Sequence, residues 1–192
     1  MYTAIVFLPL LGFLAAGIFG RVLGARPSEL ITTSLLIVSA ILSWVAFVQV
    51  AWSPSGTMSV PVLASWINSG SLKIDWALRV DTLTSVMLVV VTSVSSLVHL
   101  YSIGYMHEDP SRPRFFAYLS LFTFAMLMLV TADNLVQMFF GWEGVGLASY
   151  LLIGFWYEKP SAKKAAFKAF MTTRIGDVIM LVGMMLLYLV RH

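Results

Sequence analysis

Six stretches of the chain stay apolar over membrane-spanning lengths: about residues 2–19, 30–52, 83–105, 115–130, 135–156 and 165–190. A hydrocarbon core about 30 Å thick takes roughly 20 such residues as a helix, so the pattern predicts six transmembrane helices. The fourth stretch is the shortest. Its flanks, Arg114 and Asp133, still stand far enough apart for about 27 Å of helix.

Polar segments separate the spans. GRVLGARPSE divides the first two, and MHEDPSRPR divides the third from the fourth. The long connection after the second carries Pro54, Gly56, Pro61 and Gly70. Its alternating stretch from Ser71 to Val80 predicts short strands at the membrane surface. TADN is a tight turn in which Asp133 or Asn134 is placed to cap the fifth helix. YEKPSAKKAAFK leads into the sixth, with Pro160 where a first helical turn tolerates it.

Basic residues set the expected direction. The connections after the first, third and fifth spans hold Arg21, Arg26, Arg112, Arg114, Lys159, Lys163, Lys164 and Lys168, against Lys73 and Arg79 in the others. That asymmetry assigns the richer side to the cytoplasm or mitochondrial matrix, with both termini opposite.

Composition agrees: 59% of residues are hydrophobic and 11% charged, where soluble domains run nearer a quarter charged. The formal charge of +3 comes from the loops, which argues against nucleic acid as a partner and leaves membrane lipids as one. The apolar N-terminus lacks a basic n-region, so no cleaved signal peptide is expected. Residues 1–192 read as a single all-α transmembrane domain. With no cysteine there is no disulfide, thiolate metal site or cysteine-held iron–sulfur cluster. No phosphate loop, HExxH, Ser/His/Asp set or haem-spaced histidine pair occurs. The chain is expected to hold no cofactor and to do no redox chemistry itself.

Chemistry enters through charges within the spans. Glu143 is the single acid in LVQMFFGWEGVGLASYLLIGFW. Nine residues separate it from Asn134, and nine separate Arg174 from Ala165 on the next, oppositely running helix. Each is therefore about 14 Å deep, near the midplane. Asp177 lies three residues beyond Arg174, on the same helix face. One reading is structural: an intrahelical pair and a satisfied acid. The other is a proton relay, because intramembrane charges are expensive and a carboxyl's proton affinity moves with its surroundings. Gly141, Gly144, Gly146 and Ala148 allow close helix approach or leave room for water. His99, deep in the third span beside Thr92, Ser93, Ser95 and Ser96, is either a helix-to-helix hydrogen bonder or a second relay group. Gln137 sits only a turn into its span, and Trp142 is too deep for an interface anchor and reads as a packing residue.

Four segments carry a resemblance: VHLYSIGYMHEDP (98–110), RFFAYLSLFTFAMLMLVTADN (114–134), GWEGVGLASYLLIGFW (141–156) and RIGDV (174–178). With the opening IVFLPLLG, they resemble the largest antiporter-like subunit of respiratory complex I, the proton-pumping NADH:quinone oxidoreductase. That subunit is called L in bacteria and chain 5 in mitochondria. The resemblance implies a cofactor-free, multi-pass membrane-arm protein of a bacterial cytoplasmic or mitochondrial inner membrane. It would work in the respiratory chain, in electron transport to quinone, as part of a translocase. The family glutamate of the buried charge pair maps onto Glu143. The arginine and aspartate of R-[VI]-G-D, linked to proton uptake or to tuning that glutamate, map onto Arg174 and Asp177.

The departure lies in length. Family members have roughly fourteen spans or more in two inverted repeats. The glutamate's lysine partner, a second lysine and a long amphipathic helix lie beyond this sequence. Lys163, Lys164 and Lys168 sit at the surface and do not replace the lysine. The expectation is a partial antiporter-like fold, the N-terminal portion alone, among other complex I membrane-arm subunits and completed by a second polypeptide, or else a truncated product. The functional expectation is part of a proton-translocation path through Glu143, Arg174, Asp177 and His99. The alternatives are a non-conducting structural remnant and a subunit of a multi-subunit sodium/proton antiporter, whose relatives share the Trp–Glu pair.

Overall fold

The structure is a computed structural model describing residues 1–54, 56–58, 60, 62–69 and 72–191. Among these residues the chain forms seven helices: α1 (Tyr2–Ile18), α2 (Gly20–Leu23), α3 (Ala25–Trp52), α4 (Thr82–Tyr105), α5 (Arg112–Val130), α6 (Leu135–Ile153) and α7 (Pro160–Arg191). Five are long and apolar enough to cross a membrane, and α1 is a shorter apolar helix. A helix therefore stands at each of the six expected positions. The main shift is in the first connection, where α2 is a single turn and α3 starts at Ala25, five residues before the apolar run. Gly24 supplies the bend between them with φ 85°, a conformation favoured by glycine.

Local chemistry sets the helix starts. Asp81 caps α4 by accepting from the Thr84 amide at 2.9 Å. Asn134, rather than Asp133, caps α6 by accepting from the Gln137 amide at 2.9 Å. Pro160 is the first residue of α7, where its missing N–H costs nothing.

Helices α1, α3, α4 and α5 form the bundle. The buried face of α3 is built largely from small and polar residues, among them Ser28, Thr32, Ser39, Ser43 and Ala46. Leu30, Ile37, Ile41 and Trp44 of the same helix point outward. This inside-out arrangement suits lipid, where small residues bring helices together and large apolar ones meet acyl chains. Pro9 lies inside α1 and cannot donate to the carbonyl four residues back. That carbonyl belongs to Ile5, and the Ser39 hydroxyl of α3 donates to it at 2.7 Å. Both residues are fully buried. An apolar cluster of Ile5, Val6, Ala46, Leu78, Leu88, Leu127 and Met128 fills the bundle.

The connection between α3 and α4 forms two small antiparallel sheets. β1 (Thr57–Met58) pairs with β4 (Val80–Asp81), and β2 (Ala64–Ser69) pairs with β3 (Leu72–Trp76). The alternating stretch is thus strand over Leu72–Trp76 and again at Val80. Ser71, Pro61 and Gly70 lie outside the described residues. This layer sits on the α5–α6 turn: the Arg79 amide donates to the Thr131 carbonyl at 2.9 Å, and Asn134 Nδ2 donates to the Asp75 carbonyl at 2.9 Å. The rings of Trp66, Trp76 and Phe140 stack edge-on above it.

The three arginine- and lysine-rich connections meet at the opposite end. Arg112 Nη1 lies 3.4 Å from Glu29 Oε2, joining the starts of α5 and α3. Arg114 Nη2 donates to the Phe155 carbonyl at 3.1 Å. The Trp156 indole donates to Asp109 at 3.0 Å.

Two outcomes test these assignments. Ser39→Ala leaves the Ile5 carbonyl bare in a dry core and should cost about 1–3 kcal/mol, read as a lower thermal midpoint in detergent. The Thr84 amide, foremost, and Arg79 hold the Asp81 carboxyl below its ordinary value of 3.8. Its contribution is therefore complete above that value and is lost as pH falls through the lowered one. Asp81→Ala should cost about 1 kcal/mol at pH 7, and the gap from the unmodified protein should close below pH 3.8. A gap independent of pH would contradict the cap.

Candidate intramembrane charge cluster

The approach of α6 to α5 orients the site. A Cβ added at Gly141 would stand 2.6 Å from the Leu129 amide nitrogen, and one at Gly144 would stand 3.0 Å from the Ala125 Cβ. Those two glycines, with buried Ala148, are the close-approach face. Gly146 meets open space. At the end of α6, a Cβ added at Gly154 would stand 3.2 Å from the Ala166 Cβ of α7. These contacts leave Trp142 and Glu143 to meet α7.

Glu143 is the ninth of nineteen residues in α6, and Arg174 lies near the middle of α7. Arg174 Nη1 is paired with Glu143 Oε2 across the two helices. The same nitrogen lies 4.0 Å from Asp177 Oδ2. Asp177 is buried, while Glu143 and Arg174 remain partly exposed. The guanidinium also lies 4.6 Å from the centre of the Phe170 ring, which adds a cation–π contact. The Trp142 indole N–H donates to Asp177 Oδ1 at 2.8 Å.

Three of the four candidate residues therefore meet, and Trp142 joins them in a role that packing arguments missed. Its signal was adjacency: a tryptophan beside the intramembrane acid has its one polar atom within reach of a second acid on the facing helix.

His99 lies elsewhere. It is fully buried on α4. Its Nδ1 faces the Ser95 carbonyl at 2.9 Å, and its Nε2 lies 3.2 Å from the Ser120 hydroxyl of α5. A carbonyl only accepts, so in this arrangement Nδ1 carries the proton and Nε2 accepts from Ser120. Ser95 also bonds Thr123 of α5. His99 is thus a helix-to-helix hydrogen bonder. Among the described residues no hydrogen bond or ion pair ties it to Glu143, Arg174 or Asp177.

Two further polar groups escaped the sequence pattern. Glu29 fell in a segment taken as a break, yet it is buried against Arg112. Gln137, only a turn into α6, is fully buried, and its side-chain oxygen accepts from the Ala77 amide at 3.2 Å. Thr172 and Thr173 bond carbonyls of their own helix.

Fold and site together define a multi-pass membrane protein with an acid–arginine–acid cluster shared by two antiparallel helices. Residues 66–116 match the family described as NADH-ubiquinone oxidoreductase (complex I), chain 5 N-terminus. Residues 132–191 match NADH:quinone oxidoreductase/Mrp antiporter, TM. The NADH-quinone oxidoreductase subunit L of Rhodobacter capsulatus is 54% identical over 98% of this chain and 27% of its own length. The NADH-ubiquinone oxidoreductase chain 5 of Arabidopsis thaliana is 55% identical over 96% and 27%. That of Dictyostelium discoideum is 48% identical over 99% and 28%. The chain belongs to this family of complex I antiporter-like subunits and corresponds to their N-terminal portion, spanning 27–28% of the length of these relatives. It is a multi-pass protein of a bacterial cytoplasmic or mitochondrial inner membrane.

Trp142→Phe keeps the apolar ring and removes the indole donor to buried Asp177. It should lower stability by about 1–3 kcal/mol, measured by thermal unfolding in detergent. Trp142→Phe in an Asp177→Asn background should cost less than in the unmodified protein. Equal costs would show that the two residues are not coupled.

Proposed function

We propose that the chain forms the N-terminal part of a proton-translocating module in the membrane arm of an NADH:quinone oxidoreductase. The observation that carries this reading is the placement of one cation between two acids on facing helices halfway along their lengths. Two carboxylates and one guanidinium leave a formal surplus of one negative charge. In a medium that penalises net charge, one proton neutralises the set. A second cation approaching Glu143 would expel that proton, and its withdrawal would readmit one. The chain's residues would hold and release the proton. NADH oxidation and quinone reduction would take place in other subunits of the complex.

The side expectation belongs to the same reading: the end holding Arg21, Arg112, Arg114 and Lys163 faces the cytoplasm or matrix. Partners would be other membrane-arm subunits and a further polypeptide segment bearing the family lysines. His99 would be a second relay group through Ser120. The support for this is the 3.2 Å contact of its Nε2 with the Ser120 hydroxyl.

A second reading rests on a specific observation. The family description covering residues 132–191 also names the Mrp antiporter, so a sodium/proton exchanger subunit fits the same cluster. Sodium-dependent exchange in an assembly without NADH-oxidising subunits would favour it. A structural remnant that anchors its neighbours without conducting makes a different forecast: deletion of the chain breaks assembly, whereas Glu143→Gln leaves pumping intact.

Glu143→Gln in the assembled complex, reconstituted into vesicles, should reduce protons moved per electron pair and slow turnover. Arg174→Lys should retain more activity than Arg174→Gln, because it keeps the charge without the fork. Unchanged stoichiometry and rate in Glu143→Gln would refute the proposal.

A further inference from the structure

Where the basic connections gather, a groove of about 700 Å³ opens between α1, α2 and the start of α5. Phe13, Ala16, Gly17 and Ala117 form an apolar wall, and Arg21 and Arg114 stand along the same groove. The small residues keep the wall shallow: a Cβ at Gly17 would already lie 3.6 Å from the Phe13 ring and 3.7 Å from the Ala117 Cβ.

Two of the neighbouring acids are already engaged. Glu29 is paired with Arg112. Asp109 accepts from the Ser111 amide and the Trp156 indole. Among the described residues no carboxylate lies within ion-pairing distance of Arg21 or Arg114. Arg114 is nevertheless held in place. It donates to the Phe155 carbonyl at 3.1 Å, and its guanidinium lies 4.8 and 5.1 Å from the ring centres of Phe155 and Tyr157. Its Nε is buried with no hydrogen-bond partner. A fixed, half-buried cation without a counter-ion favours an anion. Cations beside an apolar wall, at the end of a transmembrane bundle, match an anionic lipid: charged head at the surface, acyl chain below.

We propose that this groove binds an anionic phospholipid, with its phosphate between Arg21 and Arg114 and an acyl chain along Phe13, Ala16, Gly17 and Ala117. The site does not depend on the proton-translocation reading, since none of its residues belongs to the charge cluster.

Native mass spectrometry of the full chain with phosphatidylglycerol, phosphatidylcholine or inorganic phosphate tests it. Phosphatidylglycerol should be retained over phosphatidylcholine. Arg21→Gln should weaken retention about fivefold, with Arg21→Lys keeping most of it. Among the described residues Arg21 makes no side-chain bond to the fold, so that loss would not report unfolding. Gly17→Leu should exclude the acyl chain and lower lipid retention while leaving the arginines in place. Equal retention of the two lipids, or no effect of Arg21→Gln and Gly17→Leu, would overturn the proposal. So would complete displacement by millimolar inorganic phosphate, which marks an anion site alone, or a copurifying polypeptide seated in the groove.

Discussion

Hydrocarbon offers no hydrogen bonds, so each polar group within these spans needs a partner supplied by the protein. That constraint explains why buried hydroxyls and the buried imidazole of these spans are joined to carbonyls and to one another. Ser39 serves Ile5, Ser43 serves Ser39, Thr92 serves Leu88, and His99 joins Ser95 to Ser120. Each bond leaves its helix with a smooth, apolar outside and a small-residue inside. The bundle of α1, α3, α4 and α5 brings those faces together.

The charge cluster lies outside this bundle, on a helix pair secured near its ends. At one end the α5–α6 turn is bound by Asn134, Gln137 and Thr131 to the strand layer. At the other, Arg114 holds the end of α6 through Phe155, and Gly154 admits α7. Between these fixed points α7 is little covered by the rest of the chain. The Glu143–Arg174 pair in that position is correspondingly only partly buried.

The spans were legible because length and apolarity are global properties that tolerate local error. Their edges were less so. Ser28 and Glu29 looked like loop residues, but Arg112, distant in sequence, neutralises Glu29 and allows the helix to begin earlier. Glu143, Arg174 and Asp177 were readable because charge in an apolar run is rare and helix rise gives its depth. Trp142 was not, because its role depends on which way its indole turns across an interface. The strands were visible as alternation, although the layer's contact with Thr131 and Asn134 is a tertiary fact that no local pattern carries.

Pro9 has a consequence for how the chain reaches this state. On its own α1 is short for a bilayer and carries an unsatisfied carbonyl at Ile5. The donor that completes it comes from α3, the next long helix to leave the ribosome. The first helix thus gains a comfortable place in lipid only once its successor has arrived. Biogenesis at the translocon should then proceed by paired release, with the opening segment waiting beside the channel for its hydroxyl-bearing neighbour.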